Sequence, residues 1–235
     1  MRFTRQALIP IILSLAGAAL FAWLGAWQLS RLGERRAYNA HLEERLAAPP
    51  VVVTSLSADS GVGHYRRVSA RGVYDFAAEV ALATRSSQGS PGVHVLTPLR
   101  LANDTVVMVN RGWVYSPDAR TIDFTKWREH EGDTVTVVGY AETWMGRETS
   151  PLPPAQRLVR TLDSAAVATR VGSAIQPYYL VLTSDSARNV ARPVRLGEPV
   201  LDDGSHKSYA IQWFTFALVA LIGGSLLVRQ VLERA

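Results

Sequence analysis

The chain has 235 residues, no cysteine and a formal net charge of +5, with an isoelectric point near 9.8. The length allows one or two domains, and the missing cysteines exclude disulfides, thiolate metal sites, iron–sulfur clusters, a cysteine nucleophile and covalent c-type haem attachment. So high a pI would suit nucleic acid or an anionic membrane surface, but the mean hydropathy is slightly positive, so the apolar residues must be located before the charge is read.

They sit at the two ends. Ala7 to Leu29 is a run of 23 residues without a charged side chain or histidine, and Tyr209 to Val228 is a second run of 20. About 20 apolar residues cross a bilayer as a helix. Trp23 and Trp27 near the end of the first run, and Tyr209 and Trp213 at the start of the second, stand where an aromatic belt belongs. The first run has two other readings. Arg2 and Arg5 followed by Ala16-Gly17-Ala18 fit a cleaved signal peptide, and a long apolar stretch also fits a buried core helix.

Arg2, Arg5, Arg229 and Arg234 against Glu233 put a net +3 on the two short tails and leave +2 for residues 30–208. Short basic tails stay in the cytoplasm, whereas long loops translocate largely regardless of charge. The charge is therefore mainly a topology signal, and nucleic acid drops out as a partner. The expected fold class is a membrane protein of α+β type, with two transmembrane helices flanking a β-rich extracytoplasmic domain with a few helices. Its segments are a cytoplasmic tail (1–6), a span (7–29), the extracytoplasmic domain (30–208), a second span (209–228) and a cytoplasmic tail (229–235). With no Arg- and Ser-rich transit peptide ahead of the first span, the expected location is a bacterial inner membrane.

After the first run, Arg31 to Ala47 extends the helix until Pro49-Pro50 stops it. Strands are predicted at Val51–Val53, Tyr65–Tyr74, Glu79–Thr84, Val93–Leu101, Thr105–Val114, Thr134–Trp144 and Tyr178–Leu182, from their β-branched and aromatic residues. Ser86 to Gly92 reads as turn material, and Leu99 to Val107 as a hairpin about Ala102-Asn103-Asp104. Leu162 to Val171 reads as a helix capped by Asp163 and stopped by Gly172. Ser150–Pro154 and much of 184–205 read as loop.

No catalytic constellation emerges. His41, His64, His94, His130 and His206 make no i,i+4 pair on a predicted helix, and Met1, Met108 and Met145 form no copper-binding cluster. Nucleophile-elbow and nucleotide-binding glycine patterns are absent from the sequence. Asp202-Asp203 read as solvated. Asn110-Arg111-Gly112-Trp113 reads as a polar turn at a strand end, either a partner contact or a structural element in which Arg111 anchors a loop and Trp113 fills the core. His206 begins a helical stripe with Tyr209, Ala210 and Trp213 at i, i+3, i+4 and i+7. A histidine at the membrane interface backed by aromatics suits axial haem ligation. Gln28, Arg31 and Arg35 form a matching stripe, and arginine forks suit propionates. Read alone, His206 also suits a plain interfacial residue, and the arginines suit lipid phosphates.

These stretches carry a family likeness. Gly25-Ala26-Trp27-Gln28-Leu29-Ser30-Arg31 with Arg35, Tyr65-Arg66-Arg67-Val68 with Gly72, Tyr74 and Arg85, and Thr97-Pro98-Leu99 followed by Val109 to Val114 resemble ordered blocks of the Surfeit locus protein 1 family. Pro177-Tyr178-Tyr179 and His206-x-x-Tyr209-Ala210-x-x-Trp213-Phe214 resemble its C-terminal pattern. The stretch Leu32-Gly33-Glu34-Arg35-Arg36 departs from it, lacking the Trp and Lys common there, as do Gly204-Ser205 before the histidine and Lys207 after it. The resemblance implies a non-enzymatic assembly factor for cytochrome c oxidase that helps deliver haem a into subunit I. His206 would be the iron ligand, and the partners would be subunit I and haem a synthase. A scaffold that stabilises those partners without holding haem is the alternative, and a membrane-anchored extracytoplasmic enzyme a third.

Overall fold

In chain order the computed structural model has helix α1 (Arg5–Ala47), β1 (Val51–Val52), the short α2 (Ser60–Gly63), β2 (Arg67–Tyr74), β3 (Val80–Ser87), β4 (Ser90–Leu101), β5 (Val106–Tyr115), β6 (Thr134–Thr143), β7 (Leu158–Val159), α3 (Ser164–Val171), β8 (Tyr178–Leu182) and α4 (His206–Glu233). It describes residues 5–128, 134–144, 146, 152–153, 155–183 and 192–233. Met1, Arg2, His130, Met145, Ser150, Pro151, Pro154, Arg234 and positions 184–191 lie outside these, as do the side chains of Arg5 and Ala7. The chain divides into a helical unit, Met1–Glu43 with Val200–Ala235, and a sheet unit, Glu44–Pro199.

In the helical unit, α1 and α4 pack antiparallel. On α1 the inward positions are Ser14, Ala18, Phe21, Gly25, Gln28 and Leu32, spaced alternately four and three apart. On α4 they are His206, Ala210, Trp213, Ala217, Ala220 and Gly224, in the same rhythm. That 3.5-residue repeat is the seam of a left-handed helix pair. Small residues let the backbones approach: a Cβ on Gly224 would meet Ser14 Cβ at 2.3 Å, and one on Gly25 would meet the Phe214 ring at 2.9 Å. Phe21 stacks on Trp213 with ring centroids 5.8 Å apart.

The large apolar side chains face the other way. Ile9, Ile12, Leu13, Trp23, Ile211 and Val219 are each at least 60% exposed. A core helix of a soluble protein buries these residues, so the buried-core alternative for the first run is set aside: the most apolar windows of α1 and α4 are only 11% and 6% buried. Both helices are long and apolar enough to cross a bilayer. Helix α1 continues unbroken through Ala16–Ala18 and ends before Pro49 and Pro50.

In the sheet unit the strand order is β1-β2-β6-β8-β5-β4-β3-β7, and β2 also pairs with β4. That second pairing, Gly72–Tyr74 against Leu99–Leu101, closes β2, β6, β8, β5 and β4 into a five-stranded barrel. Val68, Leu99, Val107, Val109, Ala141, Leu180 and their neighbours fill it. A smaller cluster of Ala81, Val93, Val95 and Val114 packs with Ile122, Phe124, Trp127 and Leu158. Helix α3 is capped as expected: Asp163 Oδ1 accepts from Ala166 N at 2.9 Å, and Gly172 adopts φ 64°.

Two sequence expectations are corrected. Ser86 to Gly92 is not an open turn, because β3 and β4 run on to Ser87 and Ser90 and are joined by Gln88-Gly89 alone. Both residues have positive φ (49° and 80°), the geometry of a tight two-residue hairpin. Asn110–Trp113 is not a turn at a strand end. It lies inside β5 at a bulge, where Asn110 opposes Leu96, Gly112 opposes Val95, and Arg111 is the extra residue.

Candidate functional site

The site belongs to the helical unit. Helix formers after Ser30 carry α1 past the apolar run, and Arg31, Glu34, Arg35 and Tyr38 project from one face at i, i+3, i+4 and i+7. Opposite them a short loop leads into α4. Asp202 Oδ1 accepts from Gly204 N at 3.1 Å, an Asx-type turn. The turn is completed by Gly204 at φ 66°, a conformation that suits glycine. The loop is tied to α1 by its backbone: Asp202 O accepts from Arg35 Nε at 3.2 Å and from Asn39 Nδ2 at 2.7 Å. Asp203 Oδ2 accepts from Arg36 Nε at 2.8 Å.

His206 opens α4, and its Nδ1 lies 2.8 Å from Gln28 Oε1. An amide oxygen only accepts, so Nδ1 is the donor in this contact. The Nε2 edge faces Gly204: a Cβ there would sit 3.6–3.8 Å from Cδ2 and Nε2. Arg31, Glu34, Arg35, Tyr38, Asp202, Gly204 and His206 line a cavity of about 420 Å³, within the usual range for small-molecule sites.

His206, Arg31 and Arg35 thus share one cavity, and Gln28 supports His206 from behind. Tyr209 and Trp213 are not among the lining residues. Tyr209 is about half exposed, and the Trp213 ring is turned onto Phe21 and Phe216. The sequence reading missed Glu34, Tyr38, Asp202 as a backbone acceptor, and Gly204. The i, i+3, i+4, i+7 spacing from Arg31 carried the signal for Glu34 and Tyr38. Nothing in the sequence announced the Asp202 carbonyl. Among the described residues no group of three or more histidine or acidic side chains gathers as a metal site.

The Asn110–Trp113 segment lies elsewhere, in the sheet unit. Asn110, Arg111 and Gly112 are buried, which leaves only the partly exposed Trp113 available to a partner. Arg111 Nη1 donates to Glu79 Oε1 at 2.8 Å, and Thr97 Oγ1 donates to the same oxygen at 2.8 Å. Arg128 and Arg157 reach Glu79 Oε2 at 3.4 and 3.3 Å. Burial pushes the Glu79 carboxyl up, and Arg111, Thr97, Arg128 and Arg157 oppose it. The carboxylate stays ionised, because a guanidinium that cannot lose its proton lies beside it with no exposed surface. Arg111 also lies 5.3 Å from the Tyr74 and Phe76 ring centroids, within cation–π range.

The regions holding both clusters are shared with known proteins. Residues 15–218 match the SURF1 family. A SURF1-like protein of Rickettsia felis is 24% identical over 208 residues, covering 85% of this chain and 88% of that protein. An uncharacterized SURF1-like protein of Mycobacterium tuberculosis is 27% identical over 208 residues, covering 86% and 76%. A SURF1-like protein of Monosiga brevicollis is 26% identical over 212 residues, covering 84% and 79%. With most of its length matched, and with the two-helix and β-rich plan described above, the chain belongs to the SURF1 family.

Proposed function

We propose that this protein is a membrane-embedded, non-enzymatic assembly factor for cytochrome c oxidase. In this reading it holds haem a transiently at the His206 cavity and passes it to subunit I, with haem a synthase as the supplier. The observation that carries the proposal is His206, whose Nδ1 is engaged by Gln28 and which lines one cavity with Arg31 and Arg35. Metal-binding histidines are commonly fixed in this way through the second ring nitrogen, which sets the tautomer and raises ligand basicity.

The residues fit the group. His206 supplies the imidazole through Nε2, Gly204 leaves its approach uncrowded, and Arg35 and Arg31 supply guanidinium donors for the propionates. Bound haem a would supply the redox iron that the finished oxidase uses. The chain's own part is to bind and orient. The polar lining suits the carboxylate end, and the absence of cysteine means that any haem is held without covalent attachment.

Membrane insertion is part of the proposal. A helix pair with small residues inside and Leu, Ile and Trp outside is what a hydrocarbon solvent selects. The tail arginines support a reading in which both termini lie in the cytoplasm of a bacterial inner membrane and the sheet unit lies outside it.

The test is a visible spectrum of protein purified in neutral detergent from cells that make haem a. Wild type should carry haem and His206→Ala should not. A haem-free wild type, or equal haem in the two, overturns the proposal.

A further inference from the structure

The four α1 side chains that line the cavity are not equivalent. Arg31 Nη1 donates to Glu34 Oε2 one turn along the helix, so a carboxylate already engages its fork. Arg36, next to the site, is held by Asp203. Arg35 spends only its Nε, on Asp202 O. Among the described residues its Nη groups have no hydrogen-bond acceptor, and its guanidinium lies 5.8 Å from the Tyr38 ring centroid. Of the three arginines on this stretch, Arg35 alone is engaged by no carboxylate.

The charges on the lining make the same point. Arg31 and Arg35 are balanced by Glu34 and Asp202. A ligand with two carboxylates adds more negative charge than this lining offsets unless an internal carboxylate gives way. Asp202 is fixed, because Gly204, Arg35 and Asn39 all donate to it. Glu34 is held by one ion pair whose side chains are 52% and 57% exposed, a weak and readily exchanged contact.

We propose that Glu34 is an internal competitor for the ligand's carboxylates. It engages Nη1 of Arg31, so one ligand carboxylate is taken by Arg35 and the second competes with Glu34 for Arg31. The inference rests on the haem reading above and adds a route for release. Exchanging one carboxylate for another at Arg31 changes the number of ion pairs little, so the haem is held with an affinity that a carrier can reverse.

The test titrates the full-length protein in neutral detergent with two probes, iron protoporphyrin IX and its dimethyl ester, which lacks free carboxylates. Absorbance of the bound haem reports binding. Glu34→Gln should tighten iron protoporphyrin binding about twofold to fivefold and leave the ester unchanged, and Glu34→Ala should do the same. Arg35→Gln should weaken binding more than Arg31→Gln. No gain in either Glu34 variant, or an equal gain for the ester, overturns the competitor while the haem reading stands. Wild-type protein that takes up neither probe overturns the haem reading, and this inference with it.

Discussion

Arg111 donates to Glu79 at 2.8 Å across 32 positions of the chain, and neither side chain has exposed surface. The bulge at Arg111 makes this possible by turning a strand cation inward. Breaking a buried pair strands its partner's charge, at a cost of about 3–5 kcal/mol. Arg111→Met should lower the melting temperature in detergent and the amount of protein in membranes together. Glu79→Leu should be worse, because it leaves Arg128 and Arg157 without their shared carboxylate as well as Arg111. If Glu79→Leu melts at the wild-type temperature, the cluster does not hold the sheet unit together.

Gly112 sits beside Arg111 at φ 132°, and a Cβ there would meet Val194 O at 2.3 Å. Trp113 and Val194 exchange two backbone hydrogen bonds of 2.8 Å across this contact. Gly112→Ala should therefore strain the backbone and detach the Val194 segment, for a loss of about 2 kcal/mol or more. Limited proteolysis near Val194 should speed up by a factor that tracks that loss.

His94 gives the sheet unit an acid sensitivity. Its burial, with Arg85 nearby, lowers its pKa from 6.5 to about 4, and Asn110 Nδ2 lies 3.3 Å from its Nδ1, the donor for a neutral ring. Above pH 6.5 the ring is neutral whether the chain is folded or not, so it adds no pH dependence. Between about 6.5 and 4 the unfolded chain takes up a proton that the folded one refuses, and stability falls as pH falls. The loss approaches about 2 kcal/mol at the acid end, discounted for the ring's partial exposure. Urea unfolding at pH 7 and pH 4.5 should show it, and His94→Gln should remove most of the difference.

The seam between α1 and α4 is closed by small residues. Gly224→Leu would drive a side chain into Ser14 and part the helices at that end. Since the chain has no cysteine, a Phe21→Cys/Trp213→Cys pair reports their separation without background. Cross-linking by a short bis-maleimide should drop severalfold when Gly224→Leu is added. Unchanged yield would mean that the seam absorbs the bulk.

Local signals were legible wherever one stretch of chain decides the outcome. The two apolar runs, the Asp163 and Gly172 caps and most strands needed only neighbouring residues. The pairing of the His206 stripe with the Gln28–Arg35 stripe followed from helical spacing and from their places at matching ends of the two apolar runs. Barrel closure was not legible, since the β2–β4 pairing joins residues that no local pattern links. The Arg111 bulge was missed for a related reason: strand alternation predicts inward and outward faces only until an inserted residue shifts the count. Trp213 fell on the His206 stripe, but its ring goes to Phe21, because spacing assigns a face and packing chooses the contact.

The strand order ends in β1 and β7, each two residues long. Beyond β7, the free side of β3 is interrupted by the irregularity between Leu82 and Arg85, and Ala119 O takes the Thr84 amide. Among the described residues the sheet thus presents little continuous unpaired backbone on which a neighbouring strand could add. Open strand flanks are the usual templates for intermolecular pairing. These short, broken flanks protect the sheet unit from edge-to-edge aggregation.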